Sequence, residues 1–393
     1  MTNKQKTIYT VLITMVATFI VSTVLYLSFG TNVVYFMTQN KNASALNKLT
    51  RIDNLIDEYY YGEYDKDKMR QMAYMGYMAG VGDQYTQYIT PEEYASFTEM
   101  SEGEYKGIGI EITQNENGIV ITDVFEGTPA EKSGFLIGDI ITKIDGVETK
   151  DKTSSEVASL VKNRKDENNV VIDILRNDVP ITIDVKCDNI VTTNASWKMI
   201  GDISYIRISM FEGHCSEQLK EALSASKDKG AKGIVFDVRS NPGGALDIIL
   251  NCVDQILDEG TILTIKDKKG NEDVYKAKDK EKIDLPMIIL TNGSTASAAE
   301  VFASSLHDNG KAKIVGTKTY GKGVVQSVFD LGDNSIAKIT TAKYFTPNNV
   351  CIDKIGITPD EVVELNEEYK NISIKQIPFD KDTQLNKALE MLK

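Results

Sequence analysis

A chain of 393 residues is long enough for two or three domains, and 41% hydrophobic residues suffice for ordinary cores. A formal charge of −13 excludes nucleic acid as a partner, because a phosphate backbone calls for a basic surface. Cys187, Cys215, Cys252 and Cys351 are scattered without metal-ligand spacing, so neither a metal nor a disulfide is expected, and Cys252 lies in an apolar helical run that reads as core.

Residues 7–40 carry no charged side chain, and Ile8–Phe29 is apolar enough to cross a bilayer. Lys4 and Lys6 precede it, which places the N-terminus in the cytoplasm and the rest of the chain outside. Ser28-Phe29-Gly30 could serve a signal peptidase, but the run exceeds the roughly 7–15 residues of a signal-peptide core. A retained anchor over residues 1–30 is therefore the expectation, with a cleaved signal peptide as its rival.

Residues 44–100 have helical period. Leu46, Leu49, Ile52, Leu55 and Ile56 form one stripe. Met69, Met72, Met75 and Met78 predict a packing face rather than a cofactor site. Thr90-Pro91 opens a further helix, as N-cap and N1.

Residues 105–187 read as a small β-rich domain. Strands are predicted at Ile108–Ile112, Ile119–Val124, Ile140–Ile144, Val170–Leu175 and Ile181–Val185, with helices after Thr128-Pro129 and over Ser155–Val161. With Gly107-Ile108-Gly109-Ile110 opening it and Gly138-Asp139-Ile140-Ile141 inside it, this pattern resembles a PDZ domain. That resemblance implies peptide binding by strand addition, with a terminal carboxylate held by the loop Lys106, Gly107, Ile108, Gly109 and Ile110. Arg176 ends a strand. It reads as a solvated arginine in preference to a link between peptide binding and the rest of the chain.

From about Ile190 to 365 strands and helices alternate as in an α/β core, and 366–393 closes with a helix over Thr383–Leu392. The strand Gly233–Val238 runs into Arg239-Ser-Asn-Pro-Gly243-Gly244 and then a helix over Ala245–Leu257, an arrangement that can point backbone N–H groups at a ligand. A second strand, Met287–Leu290, runs into a helix predicted from Ala296 to Asp308-Asn309-Gly310. Ser297 then falls in a first turn, where unpaired N–H groups favour developing negative charge and the Ala298 N–H could serve an oxyanion. On this stretch alone the favoured reading is that Ser294, Thr295 or Ser297 merely caps the helix.

A nucleophilic serine needs a base. His307 is ten residues along the same helix, roughly 15 Å away and too far. His214 and Lys322 both stay open. Lys322 lies between Gly321 and Gly323, and serine–lysine pairs are a known variant of the triad. Gln326 shares its parity along an apparent strand, although the two would be roughly 13 Å apart unless the chain bends at Gly323. Gly316 to Lys322 approaches a P-loop, but Gly323 replaces the required Ser or Thr and strand follows instead of helix. Ser224-Ala-Ser-Lys227 is a charged helix end.

Ser294-Thr-Ala-Ser297-Ala-Ala-Glu300, followed by Thr319-Tyr-Gly-Lys322-Gly-Val-Val-Gln326, strongly resembles the carboxyl-terminal processing peptidases, or tail-specific proteases. Lys322 lies 25 residues after Ser297, the spacing of that family. The resemblance implies Ser297 as nucleophile, Lys322 as base, and Gln326 orienting the lysine. It further implies an oxyanion hole from Ala298 with Gly243 or Gly244, and no cofactor, metal or nucleotide. Ala299 replaces the family's second serine. Gly82-Asp83-Gln84-Tyr85-Thr86 lacks its usual proline, and Asn348-Asn349 lacks its usual glycine. The family's helical segment is associated with dimerisation. The expected protein is an α+β multidomain, membrane-anchored serine endopeptidase acting on substrates with free C-termini. The alternative is a non-catalytic PDZ scaffold, which has no need of Ser297, Lys322 and Gln326 together.

Overall fold

The helical period of the N-terminal stretch becomes two helices, α1 (Lys41–Tyr59) and α2 (Lys66–Ala79). This computed structural model describes residues 41–162, 164, 169–278, 283–370 and 372–393. They fall into two compact units, divided between Met72 and Ala73. The expected membrane segment, Ile8–Phe29, lies outside the described residues; among those described, no helix is long and apolar enough to cross a membrane. The predicted packing faces are not core. Leu46, Leu49, Ile52, Leu55 and Met72 are exposed, and α2 buries no residue. An apolar stripe becomes core only where a second surface covers it.

Asp83 builds the turn that lacks the proline. Its carboxylate accepts the Thr86 hydroxyl at 2.6 Å and the Tyr85 N–H at 3.3 Å, a side-chain substitute for a rigid ring. Strand β1 (Gln87–Ile89) and helix α3 (Pro91–Glu102) follow. Thr90 and Glu93 cap α3 reciprocally at 3.0 and 3.2 Å, as Thr-Pro predicted.

Strand β2 (Glu104–Gly107) enters the PDZ-like region, and its partner β9 (Asp188–Val191) leaves it as the other half of a two-stranded ribbon. Between them lie β3 (Ile110–Asn115), β4 (Gly118–Val124), α4 (Pro129–Lys132), β5 (Ile140–Ile144), β6 (Val147–Glu148), α5 (Ser154–Lys162), β7 (Val170–Arg176) and β8 (Val179–Val185). The sheet runs β3-β4-β5-β7-β8, with Ile119, Ile121, Ile172 and Ile174 buried beneath it. The strand expected over Ile108–Ile112 is broken at Gly109, whose φ of 90° and close approach to Thr128 exclude a side chain. Arg176 is not solvated as expected. It pairs with the buried Asp139 through two 2.7 Å bonds and donates to the Gly134 carbonyl, clamping one end of the domain.

The core domain contains β10 (Ala195–Ile200), β11 (Ile203–Ile208), α6 (Cys215–Asp228), β12 (Gly233–Asp237), α7 (Leu246–Asp254), β13 (Thr261–Asp267), β14 (Glu272–Lys276), β15 (Met287–Thr291), α8 (Ala298–Asp308), β16 (Ala312–Gly316), β17 (Val324–Asp330), β18 (Ile336–Phe345), β19 (Glu361–Val362) and α9 (Thr383–Met391). One sheet has the order β10-β11-β12-β15-β16-β19, parallel from β11 onward. Strands β12 and β15 are buried throughout, as unbroken apolar runs in a covered parallel sheet should be. A second sheet runs β1-β18-β13-β14, with β17 also on β18. Phe211, Phe236 and Phe302 pack between helices and sheet. Both glycine-rich turns leave the carboxyl ends of parallel strands, where ligand sites of such sheets gather.

Candidate active site

Ser297 is the N-cap of α8, not a first-turn residue, because the helix begins at Ala298. It holds a φ of 56°, a left-handed conformation rare for a residue with a side chain. Its N–H donates to Glu300 Oε2 at 2.9 Å. The Glu300 carboxylate is wholly buried and takes three more donors: the Thr319 hydroxyl at 2.6 Å, the Gly321 N–H at 2.8 Å and the Lys322 N–H at 2.9 Å. Burial raises its pKa, against the pull of those four hydrogen bonds. One carboxylate thus ties the backbone of the serine to the backbone of the lysine. Sequence reasoning missed this role, although Ser-x-x-Glu is itself a capping-box signature. The buried Tyr344 hydroxyl makes a second tie, its single proton shared between the Ser297 carbonyl at 3.1 Å and the Lys322 carbonyl.

Lys322 is half-buried, with its ammonium 4.8 Å from the Tyr85 ring centroid. Among the described residues it has no ion pair, and its Nζ makes no hydrogen bond, including to Ser297 Oγ. Burial lowers its pKa, the charge of Lys338 lowers it further, and Glu300 opposes both. The flanking glycines are dictated by backbone crowding. A Cβ on Gly321 would sit 2.7 Å from Gly356 N, and one on Gly323 2.4 Å from Asp353 N.

Gln326 makes no side-chain hydrogen bond to Lys322. Strand β17 starts only at Val324, so Lys322 lies outside it and strand parity does not relate the two; the register with β18 shifts between Val325 and Gln326, where β18 carries one extra residue. Its amide donates to Thr340 Oγ1 at 3.3 Å, and no hydrogen bond joins it to Lys322 among the described residues. Both histidines have carboxylate partners: His214 has Glu104 at 3.1 Å, and His307 has Asp308 at 2.9 Å and Asp360 at 3.3 Å.

The glycine turn lies against the serine. A Cβ on Gly243 would come within 2.7 Å of Ser297 Cβ and 3.0 Å of Ala298 N. The Gly243 N–H already donates to Asn241 Oδ1 at 2.9 Å. Gly244 bridges Phe211 in parallel: Phe211 N–H donates to the Gly243 carbonyl at 2.8 Å and Ala245 N–H to the Phe211 carbonyl at 2.9 Å. That geometry turns the N–H of Gly244 itself away from Phe211. Among the described residues, neither the Gly244 nor the Ala298 N–H has an acceptor. Beneath the turn, the fully buried Arg239 bonds Asp237 at 3.0 and 2.6 Å, Asp382 at 2.9 and 2.7 Å and Gln384 at 2.9 Å.

In the PDZ-like region Lys106 is exposed on β2, while Gly107, Ile108 and Gly109 are buried. The Ile108 and Gly109 carbonyls accept from Ala130 at 2.8 Å and Phe125 at 3.0 Å; their N–H groups have no acceptor among the described residues. Strand β3, starting at Ile110, is an edge of its sheet and offers an unpaired side for an added strand.

Comparison with known proteins identifies the family and its domains. Residues 202–363 match the model of peptidase family S41, and residues 107–187 match a PDZ domain. A probable CtpA-like serine protease of Staphylococcus aureus is 32% identical over 90% of this chain and 73% of its own length. A carboxy-terminal-processing protease of Bartonella bacilliformis is 33% identical over 86% of this chain and 80% of its own. Among solved structures, a photosystem II D1 C-terminal processing protease is 25% identical, with a TM-score of 0.51 over 84% of this chain and 88% of its own. The fold also matches a putative S41 protease from Bacteroides fragilis, 16% identical with a TM-score of 0.55 over 85% of this chain and 91% of that one. These likenesses run through both the PDZ region and the α/β core, and the chain belongs to peptidase family S41 as a serine peptidase carrying a PDZ domain.

Proposed function

We propose that this peptidase cleaves proteins near their C-termini, with Ser297 as nucleophile and Lys322 as general base. Neutral Lys322 takes the Ser297 proton as the hydroxyl attacks a peptide carbonyl. The Ala298 and Gly244 N–H groups, the two without acceptors, stabilise the tetrahedral oxyanion, and Gly243 keeps the approach clear. Lys322 then protonates the leaving amine, and water hydrolyses the acyl-enzyme. The observation that carries this reading is Lys322 itself: a half-buried ammonium set on an aromatic ring, with no ion-pair partner among the described residues. Gln326 acts at one remove, through Thr340 and β18.

The PDZ domain takes the substrate tail along β3, with its carboxylate at the Ile108 and Gly109 N–H groups. An anchor over Ile8–Phe29 places the catalytic region on the extracytoplasmic side of the membrane, and the exposed stripe of α1 is the face through which a homodimer would form. The test is kcat/KM against pH for wild type, Lys322→Arg and His214→Ala, on peptides with free and amidated C-termini. Activity should rise along a limb above the ordinary histidine range of about 6.5. Lys322→Arg should be inactive, because guanidinium stays protonated, and His214→Ala should keep the limb. Free C-termini should be preferred. An active Lys322→Arg enzyme or a limb lost with His214 overturns the lysine mechanism, and equal use of amidated peptides overturns tail recognition.

A further inference from the structure

A second lysine stands near the first: Lys338 of β18 pairs with Gln87 of β1, two residues from Tyr85, whose ring lies under Lys322. Lys338 lies on β18 two residues before Thr340, so both side chains leave the same face of that strand. Thr340 is the residue that Gln326 contacts. The Lys338 ammonium stands 5.6 Å from the Phe97 ring centroid, as Lys322 stands over Tyr85. Like Lys322, it has no ion pair and no hydrogen bond from its ammonium among the described residues. In a chain with 57 acidic and 44 basic residues, two neighbouring lysines set over aromatic rings without an ion pair among the described residues require an explanation.

The surrounding charges define the balance. From the segment after β11 comes Glu212, whose Oε2 is buried without a hydrogen-bond partner. Asp247 on α7 pushes against Glu212, Lys338 pulls the other way, and Glu300 on α8 acts on Lys322. Carboxylates therefore stand at the margins of the pair without neutralising either lysine by contact. The Lys338 charge adds to burial in disfavouring a proton on Lys322.

We infer that Lys338 is a positioning residue of the peptidase reaction: a cation held without an ion pair beside the β1 segment that carries Tyr85, so that Lys322 stays able to act as the base. It touches no reacting atom and works only through Lys322. The inference rests on the assignment of Lys322 as base.

The test is a charge series at position 338, Lys338→Arg, Lys338→Met and Lys338→Glu, read as kcat/KM against pH with one peptide substrate. Lys338→Arg should keep the wild-type limb. Lys338→Met should move the limb to higher pH, lowering kcat/KM at pH 7 by roughly three- to ten-fold while the high-pH plateau is retained. Lys338→Glu should move it further in the same direction. A residue needed only for structure would lower the plateau and leave the limb in place. An unmoved limb, or a loss equal at all pH values or unrelated to charge, overturns the inference. Lys322→Arg, run alongside, separates the failures: if it is active, the base assignment has failed; if it is inactive and the limb does not follow charge at 338, only the role of Lys338 has.

Discussion

Two charged clusters adjoin the glycine turn and the serine it packs against, and they are built on opposite rules. In one, Arg239 is fully buried and every polar contact is made, to Asp237, Asp382 and Gln384, while Tyr205 donates to Asp237 at 2.6 Å. In the other, Lys322 and Lys338 have no ion pair among the described residues and Glu212 keeps a buried oxygen without a donor. The first cluster joins α9 to the turn and does no chemistry. The second is only half withdrawn from water and stays unsatisfied, which is the state a base needs. Charge that holds structure is paired; charge reserved for reaction is kept from pairing.

The contrast is sharpest at the two cations. Lys322→Met should cut peptide hydrolysis by at least about 10³-fold, the usual scale for removing a member of a catalytic set. It should leave stability unchanged or raise it, since no partner loses a bond. The sign follows from linkage. The folded pKa of Lys322 is depressed, so the unfolded chain binds the proton more tightly, and the wild type gains stability as pH rises towards the lysine range. Urea unfolding at pH 7 should show the variant at or above wild type. Arg239→Met should do the reverse. It strands Asp237 and Asp382 in the core, so a loss of about 3–5 kcal/mol is expected in the same unfolding experiment. A mild effect there, or a stability loss at Lys322, would break the comparison.

The smallest effect belongs to Glu212. Burial, then Asp247, push its carboxyl up to about 7, against Lys338. Its folded pKa is raised, so the folded state binds the proton more tightly, and stability falls as pH climbs from the ordinary glutamate range to about 7. Glu212→Gln removes that fall. The group is only partly withdrawn from water, so screening leaves a gain of about 1 kcal/mol at pH 8 and none at pH 4. Thermal unfolding at the two pH values measures the difference.

The sequence carried the strands, the turns and the spacing of Ser297 and Lys322, because hydrophobic period and small-residue turns are local signals. It misplaced what depends on distant partners. The methionines of α2 keep helical spacing, but spacing does not say whether a surface covers them. Arg176 reads as solvated until Asp139, 37 residues away along the chain, is brought beside it. Gln326 reads as a partner of Lys322 by strand parity, but Lys322 precedes the strand and the Gln326 amide bonds Thr340 of the neighbouring strand. Ser297-x-x-Glu300 has the capping-box pattern, but the grip of Glu300 on Gly321 and Lys322 exists only once the chain returns past β16 to α8. Asn349 takes the positive φ, 59°, that the missing glycine would have supplied, and asparagine tolerates that conformation.

Ser297 itself, held at a φ of 56°, has a thermodynamic corollary. A side chain in that region of backbone space costs of order 1–3 kcal/mol where the surroundings enforce it. The enzyme is therefore less stable than its own dead variant should be. Replacing the nucleophile by glycine would release the conformational penalty in the folded state, although glycine's freer unfolded chain returns part of it. Inactivation and stabilisation would then arrive in one substitution, and selection for robustness alone would erode this site first.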